Sequence, residues 1–441
     1  MSSAYIMGVF VVIIAILIVL VAKYKFHAVV ALFGCAFLLG ILIKTPLGEI
    51  PGLINSGFGS TCASVGIVII LGSLLGEIMS ATGAAVRITK TFIKWFGKKG
   101  VLAAVGASSC LLGIPIFPDT VSLLLIPMCT NLAAQTGISM VAFASVIGIN
   151  ITSSSLVPPT PGPVAAAAIL GLPLGVTIPW GTLVSIPSLV VAVAWASRLT
   201  KKQIPLNEAY LSGSAIPEDK LPSFTSSMGP ILIPIVLIVA DTVCTAAFPE
   251  SKMRAICSFF GAPITALTIG CLMSVFFQLN DWRKNMNVRS KWIDNAIVGS
   301  AGPIFITALG GSLAAFIKNA GAAELLAQMI VDANVPGIFV PMLIAFLIRV
   351  ITGSNTLAVS TAAALCQPML GVLGLSPLAA FLATCSGGIP FSHANSSGFW
   401  LVSTMCKLDV KDSFWAITMG TMLTGFTACI TTLVLYFFGI I

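Results

Sequence analysis

Charged side chains are scarce in this chain of 441 residues. Only 8% are Asp, Glu, Lys or Arg, against roughly 25% in a typical soluble domain. So little charge cannot cover a surface that faces water on all sides, which excludes an ordinary soluble fold. Histidine is scarcer still, with two copies, and the 11 cysteines, among them Cys35, Cys62, Cys110, Cys271 and Cys385, are scattered through apolar segments. No CxxC pair or Cys/His cluster occurs, so no metal site or other cofactor is expected, and the cysteines read as small buried hydrophobes. A membrane-embedded enzyme with Asp119 and His393 as acid and base is a rival reading that no nucleophile motif or metal spacing supports, so no enzyme is expected. No basic stretch precedes the first apolar run, and only one long hydrophilic segment interrupts the rest.

What the chain has is apolar length, with 57% hydrophobic residues. Tyr5 to Ala22 covers about the ~17 to 25 residues that a bilayer crossing needs, and Lys23 and Lys25 follow it. It is expected to be a first transmembrane helix and not a cleaved signal. Further apolar runs lie near 28–43, 60–82, 101–117, 120–136, 138–157, 176–197, 229–248, 255–279, 294–317, 335–351, 355–373, 376–391 and 414–440. They predict an all-α polytopic membrane protein with roughly ten to fourteen spans or half-spans. A net charge of +8 could signal a nucleic-acid partner. The Lys and Arg residues are confined to a few short loops, however, as the positive-inside bias requires, so the bilayer is the expected partner and nucleic acid is not.

The hydrophilic segment, Arg198 to Met228, divides the chain into a first half at 1–198, a linker at 199–228 and a second half at 229–441. Arg198, Lys201 and Lys202 place the linker in the cytoplasm. The halves share an internal similarity. LGSLLGEIMSATGAA from Leu71 matches LGGSLAAFIKNAGAA from Leu309 at an offset of 238 (83 to 321), with Leu71, Gly72, Leu75, Gly83, Ala84 and Ala85 identical. The first copy runs into Arg87, Lys90, Lys94, Lys98 and Lys99. The second is preceded by Arg283, Lys284, Arg289 and Lys291 and followed by Glu324 and Asp332. The copies are therefore expected to cross in opposite directions, as in inverted-repeat secondary transporters.

Four segments carry Pro, Gly and hydroxyl residues inside apolar surroundings: GIPIFPDT from Gly113, NITSSSLVPPTPGP from Asn150, RVITGSNTLAVS from Arg349 and SGGIPFSHANSSG from Ser386. At membrane depth, irregular backbone survives only where protein buries it or where it lines a cavity, so these segments predict broken helices or re-entrant hairpins. At an offset of 236 (162 to 398), Gly162 aligns with Gly398 and Thr160 with Ser396. Matching interruptions in two halves are the best sequence pointer to a transport site. Half-helix N-termini attract a carboxylate, and Ser, Thr and Asn pair with hydroxyl groups.

The expected substrate site is Ser153, Ser154, Ser155, Thr160 and Gly162, then Gly353, Ser354, Asn355 and Thr356, then Ser392, His393, Asn395 and Ser396. For any single hydroxyl the competing reading is a bond to its own helix backbone. Asp119 is a candidate proton carrier or an acid at the headgroup boundary. His393 is a candidate for proton exchange, substrate binding or a structural hydrogen bond. Arg349 could pair with a substrate anion, cap its helix or snorkel outward. Glu77 reads as structural or coupling. Asp241, His27 and Lys318 read as interfacial or loop residues.

With these segments the chain resembles, over nearly its whole length, the gluconate permease family of bacterial symporters, within a broader ion-transporter superfamily. The carriers are GSLLGEIMSATGAA, GIPIFPD, PPTPGP (usually PPHPGP), RVITGSNT (usually Arg followed by GSAT) and FSHANSSGFWLV (usually FSHVND, one residue, then GFW). Thr160 stands where the family usually has His, and Ser396 where it usually has Asp, which moves expected coupling toward Asp119 and His393. The resemblance implies a multi-pass protein of the bacterial inner membrane that imports gluconate or a related small hydroxylated carboxylate by proton symport. Some members take D-serine or other hydroxy acids. The superfamily resemblance implies a homodimer in which a scaffold holds still while a transport domain moves. GSNT also looks like sodium-site motifs of that superfamily, so a Na⁺-coupled carboxylate carrier is the alternative.

Overall fold

The computed structural model describes residues 3–24, 26–202, 204–211, 218–248, 252–279, 290–319, 336–393 and 396–441, and these are helical with no strand. The first half contains α1 (Ser3–Ala22), α2 (Ala28–Leu42), α3 (Ile50–Ala81), α4 (Ala84–Phe96), α5 (Val101–Leu112), α6 (Pro118–Thr136), α7 (Met140–Ile147), α8 (Ile149–Leu156), α9 (Pro161–Ile169) and α10 (Leu174–Arg198). The second contains α11 (Phe224–Ala247), α12 (Lys252–Gly261), α13 (Pro263–Gln278), α14 (Lys291–Asn319), α15 (Phe339–Thr352), α16 (Asn355–Cys366), α17 (Pro377–Gly387), α18 (Ser397–Met405) and α19 (Met419–Phe437). Helix is the form that pairs its own backbone polar groups, as hydrocarbon demands. Among the described residues six helices are long and apolar enough to cross a bilayer, with α7 to α9 counting as one broken span. The bent pair α12 and α13 would make a seventh, and α2, α5, α15 and α17 are shorter apolar helices. The apolar runs predict this mixture of spans and half-spans.

Local chemistry sets the breaks. Proline occupies the first helical position of α6, α9, α13 and α17, where its missing N–H has no acceptor to lose. Gly353, with φ 72°, closes α15 in a left-handed turn that a side chain would strain. Ser354 then caps α16 by accepting from Leu357 N at 3.3 Å.

The two similar segments of the halves lie in α3 and α14, which pack along each other. Their backbones approach closely at glycine: a Cβ on Gly57 would stand 2.7 Å from Gly311 O. Ser312 Oγ donates to Ile54 O across the same seam at 2.9 Å. Residues 320–323 of the second copy, with Glu324, Asp332, Arg283, Lys284 and Arg289, lie outside the described residues. Elsewhere the halves interleave. α9 packs against α16, and α18 against α6, so the far arm of each interrupted segment meets a helix from the other half.

The polar segment between the halves is bonded to both of them. Arg87 Nε donates to Pro222 O at 2.7 Å, Asn131 Nδ2 to Tyr210 O at 3.0 Å and Asn207 Nδ2 to Met405 O at 3.1 Å. Lys202 pairs with the buried carboxylate of Asp412. Its last residues, from Phe224 onward, form the start of α11, where Phe224 meets Trp95 of α4 edge-on at 5.0 Å.

Candidate functional site

Each sequence break leaves orphan backbone groups, and neighbouring polar side chains take them up. Between α5 and α6, Asn150 Nδ2 donates to Pro118 O at 3.0 Å, and Gly113 leaves room for the α8 backbone: a Cβ there would lie 2.8 Å from Asn150 O. Between α8 and α9, the Thr160 hydroxyl sits against Val157 O at 3.0 Å and Ser154 O, two carbonyls that no helix continues to serve. Past α17, Ser392 N donates to Thr421 Oγ1 at 3.0 Å and Ser392 O accepts from Thr418 Oγ1 at 2.8 Å. Phe391 adopts φ 71° beside it, a conformation unusual for an aromatic residue and typical of strained functional segments.

All four breaks border one cavity of about 640 Å³. Its walls carry Asp119 from the first break, Ser154, Thr160 and Gly162 from the second, Arg349 and Gly353 to Thr356 from the third, and Ser396 from the fourth. Most of the predicted set is thus brought together. Ser153, Ser155, Ser392 and His393 do not line it. Ser153 and Ser155 turn their hydroxyls onto the backbone oxygens of Asn150 and Ile151, the competing reading for a lone hydroxyl. His393 Nε2 bonds Val350 O at 3.0 Å, tying the fourth break to the end of α15. Asn395 lies outside the described residues. Phe117, Ile151, Gly299, Pro303, Thr352, Ser397 and Gly398 also line the cavity and were not in the predicted set. Pro303 inside an apolar helix was the available signal for α14. Glu77 faces away to Asn295 Nδ2 at 3.4 Å, joining α3 to α14.

The cavity has a strongly directional electrostatic wall. The first two residues of α6, α9, α16 and α18 all line it, so four helix N-termini point into one space. Each carries a positive partial charge of about half a unit and N–H groups without helical acceptors. Arg349 adds a full positive charge. It is 3% exposed, its Nη1 donates to Gly353 O, and its Nε has no hydrogen-bond partner. Among the described lining residues there is a single acid, Asp119, which accepts from Ser397 Oγ at 3.1 Å and forms no ion pair with Arg349. Such a wall can take an anion at the N-termini and Arg349, and hydroxyl groups at the Ser, Thr and Asn side chains.

Known proteins share both sequence and fold with this chain. A gluconate permease of Pseudomonas aeruginosa is 30% identical over 422 residues, covering 92% of each chain. The D-serine transporter of Escherichia coli is 27% identical over 446 residues, covering 99% of each. The crystal structure of the YdaH transporter of Alcanivorax borkumensis, described as having an unusual topology, superposes over 90% of each chain with a TM-score of 0.66 at 13% identity, a likeness of fold. The model of the GntP family permeases matches residues 5–438. With all-helical architecture, multiple apolar spans and this full-length match, the chain belongs to the GntP family of permeases, multi-pass transporters of the bacterial inner membrane.

Proposed function

We propose that this permease imports gluconate or a related small hydroxylated carboxylate together with a proton, and that the cavity bounded by the four breaks is its substrate site. The observation that carries this reading is the convergence of four helix N-termini and the unpartnered Nε of Arg349 on one hydroxyl-lined space. The substrate carboxylate would lie against Arg349 and the N–H groups of α16 and α9. Its hydroxyls would bond Ser154, Ser354, Thr356 and Ser396. A volume of about 640 Å³ is within the ~300–1,000 Å³ of small-molecule sites.

Symport follows from the charge balance. A monoanion entering a negative-inside cell works against about 2.3 kcal/mol per 100 mV, which one accompanying proton cancels. Among the described lining residues Asp119 is the one that can carry that proton and release it, with Ser397 holding the carboxylate in place. His393, bonded to the α15 backbone, then serves to position the fourth break. The two halves work as oppositely oriented repeats, and the dimer implied by the family resemblance would supply the stationary scaffold.

The test is uptake by reconstituted protein with gluconate, other aldonates, glycerate, lactate and D-serine as competitors, at varied pH and Na⁺. Gluconate or a related aldonate should compete best, and a pH gradient alone should drive accumulation. Asp119→Asn should abolish that accumulation while counterflow exchange persists. Full activity that follows Na⁺ and ignores the proton gradient would sink the symport reading.

A further inference from the structure

The two acyl-type side chains at the mouths of α6 and α16 occupy equivalent places. Asp119 and Asn355 lie 236 positions apart, as do Gly162 and Gly398, and the same separation joins Ser188 to Thr424, whose Oγ and carbonyl oxygen meet at 2.9 Å where α10 crosses α19. The contacts obey this relation too. A Cβ on Gly398 would stand 3.0 Å from Asp119 Oδ1, and one on Gly162 would stand 3.5 Å from Asn355 Nδ2. Each half therefore lays a residue of one helix's first turn, Asp119 at the second position of α6 or Asn355 at the first of α16, against the glycine at the second position of a helix of the other half. One of the two positions ionises and the other does not.

We infer that Asn355 is the neutral counterpart of Asp119 and fixes coupling at one proton per substrate anion. The argument rests on the symport reading of the same cavity. Asn355 Oδ1 is buried without a hydrogen-bond partner, facing Gly388. An amide there bears no charge in any state of the cycle. A carboxyl group in that place would be a second ionisable group on the wall beside Asp119, and so would enter the cycle as a second proton carrier. The charged groups facing the pair are few: the cavity wall contributes Arg349 to both positions and Asp119 to Asn355, and Gly162, Thr356, Val359 and Gly388 around the amide carry no charge. The balance is simple. Asp119 takes one proton from the outer solution as the anion binds and returns it to the inner solution as the anion leaves, so one anion and one proton move together and no net charge crosses per turnover.

Proteoliposomes loaded with gluconate at zero membrane potential give the measurement, since the accumulation ratio at balance scales with the proton ratio raised to the number of coupled protons. Wild type should hold a tenfold gluconate ratio per pH unit. Asn355→Asp should hold a hundredfold ratio and become sensitive to membrane potential, and the exchanged variant Asp119→Asn with Asn355→Asp should return to tenfold. A wild-type ratio of a hundredfold, or an Asn355→Asp protein that accumulates gluconate with an unchanged tenfold ratio, overturns the inference. If Asn355→Asp is inert, the wild-type ratio still decides. Accumulation that ignores pH in the wild type is a different failure, for it removes the symport reading itself.

Discussion

On the proposed reading, the residue that decides whether an anion is held is Arg349. Its guanidinium spends one arm on Gly353 O, which fastens the left-handed end of α15, and leaves Nε free in a site that is nearly closed to solvent. A charge this deep, with no acid paired to it, is expensive unless something completes its hydrogen bonds, and a substrate carboxylate would do so. Arg349→Gln should therefore weaken gluconate binding by roughly 10- to 100-fold, the equivalent of the ~1.5 to 3 kcal/mol of a charge-assisted hydrogen bond. Equilibrium binding to detergent-solubilised protein measures it, and an unchanged affinity would place the anion elsewhere. Arg349 was visible in the sequence as a cation between apolar residues and GSNT, but its three readings stayed open because burial and the free Nε are products of packing. Thr160 shows the same limit. Its place in PPTPGP marked the break, whereas its bond to Val157 O depends on how the chain leaves α8.

At the scale of the elements, proline and glycine in apolar runs were enough to locate all four breaks, because those residues cannot continue a helix without loss. Which hydroxyl enters the cavity was not legible. Ser153, Ser154 and Ser155 are adjacent and all three hydroxyls donate to backbone oxygens of α8, so only the rotation of α8 decides that Ser154 alone stands on the cavity wall. Pro303 marks α14 in the sequence, but that it and Gly299 reach the cavity wall depends on how α14 packs. The seam of α3 and α14 gives a test at this scale. Small residues there permit backbone contact, and a Cβ on Gly311 would lie 2.7 Å from Gly57 O as well as against Thr61. Gly311→Ala should destabilise the protein by about 1–3 kcal/mol through overpacking. Gly302→Ala, on the same helix with nothing within 4 Å of the added carbon, should leave stability unchanged. Thermal unfolding in detergent compares the two, and equal midpoints would deny that the seam is tightly packed.

Across the whole molecule, the polar segment between the halves acts as a strap because it bonds the first half through Arg87, Asn131 and Ser139, and the second through Asn207 and Lys202. The sequence marked this segment as a cytoplasmic linker, and hydrophilicity could say no more, since bonds from side chains to distant carbonyls leave no periodic trace. Its most telling contact joins Lys202, just beyond α10, to Asp412, just before α19. The hydrogen bond that Lys202 donates to Asp412 raises its ammonium above the ordinary value of 10.5, and the fields of Asp412 and Asp409 act the same way against partial desolvation. A cation whose affinity for protons rises on folding stabilises the fold fully below its unfolded value and loses that contribution as pH climbs through the folded one. The strap should thus hold evenly across neutral and mildly alkaline pH and weaken only above about 10.5. Lys202→Met should lower the unfolding midpoint at pH 7 and flatten its fall at strongly alkaline pH, as followed by thermal unfolding over a pH series. A variant that keeps the wild-type alkaline fall in full would show that the contact does not fasten the halves.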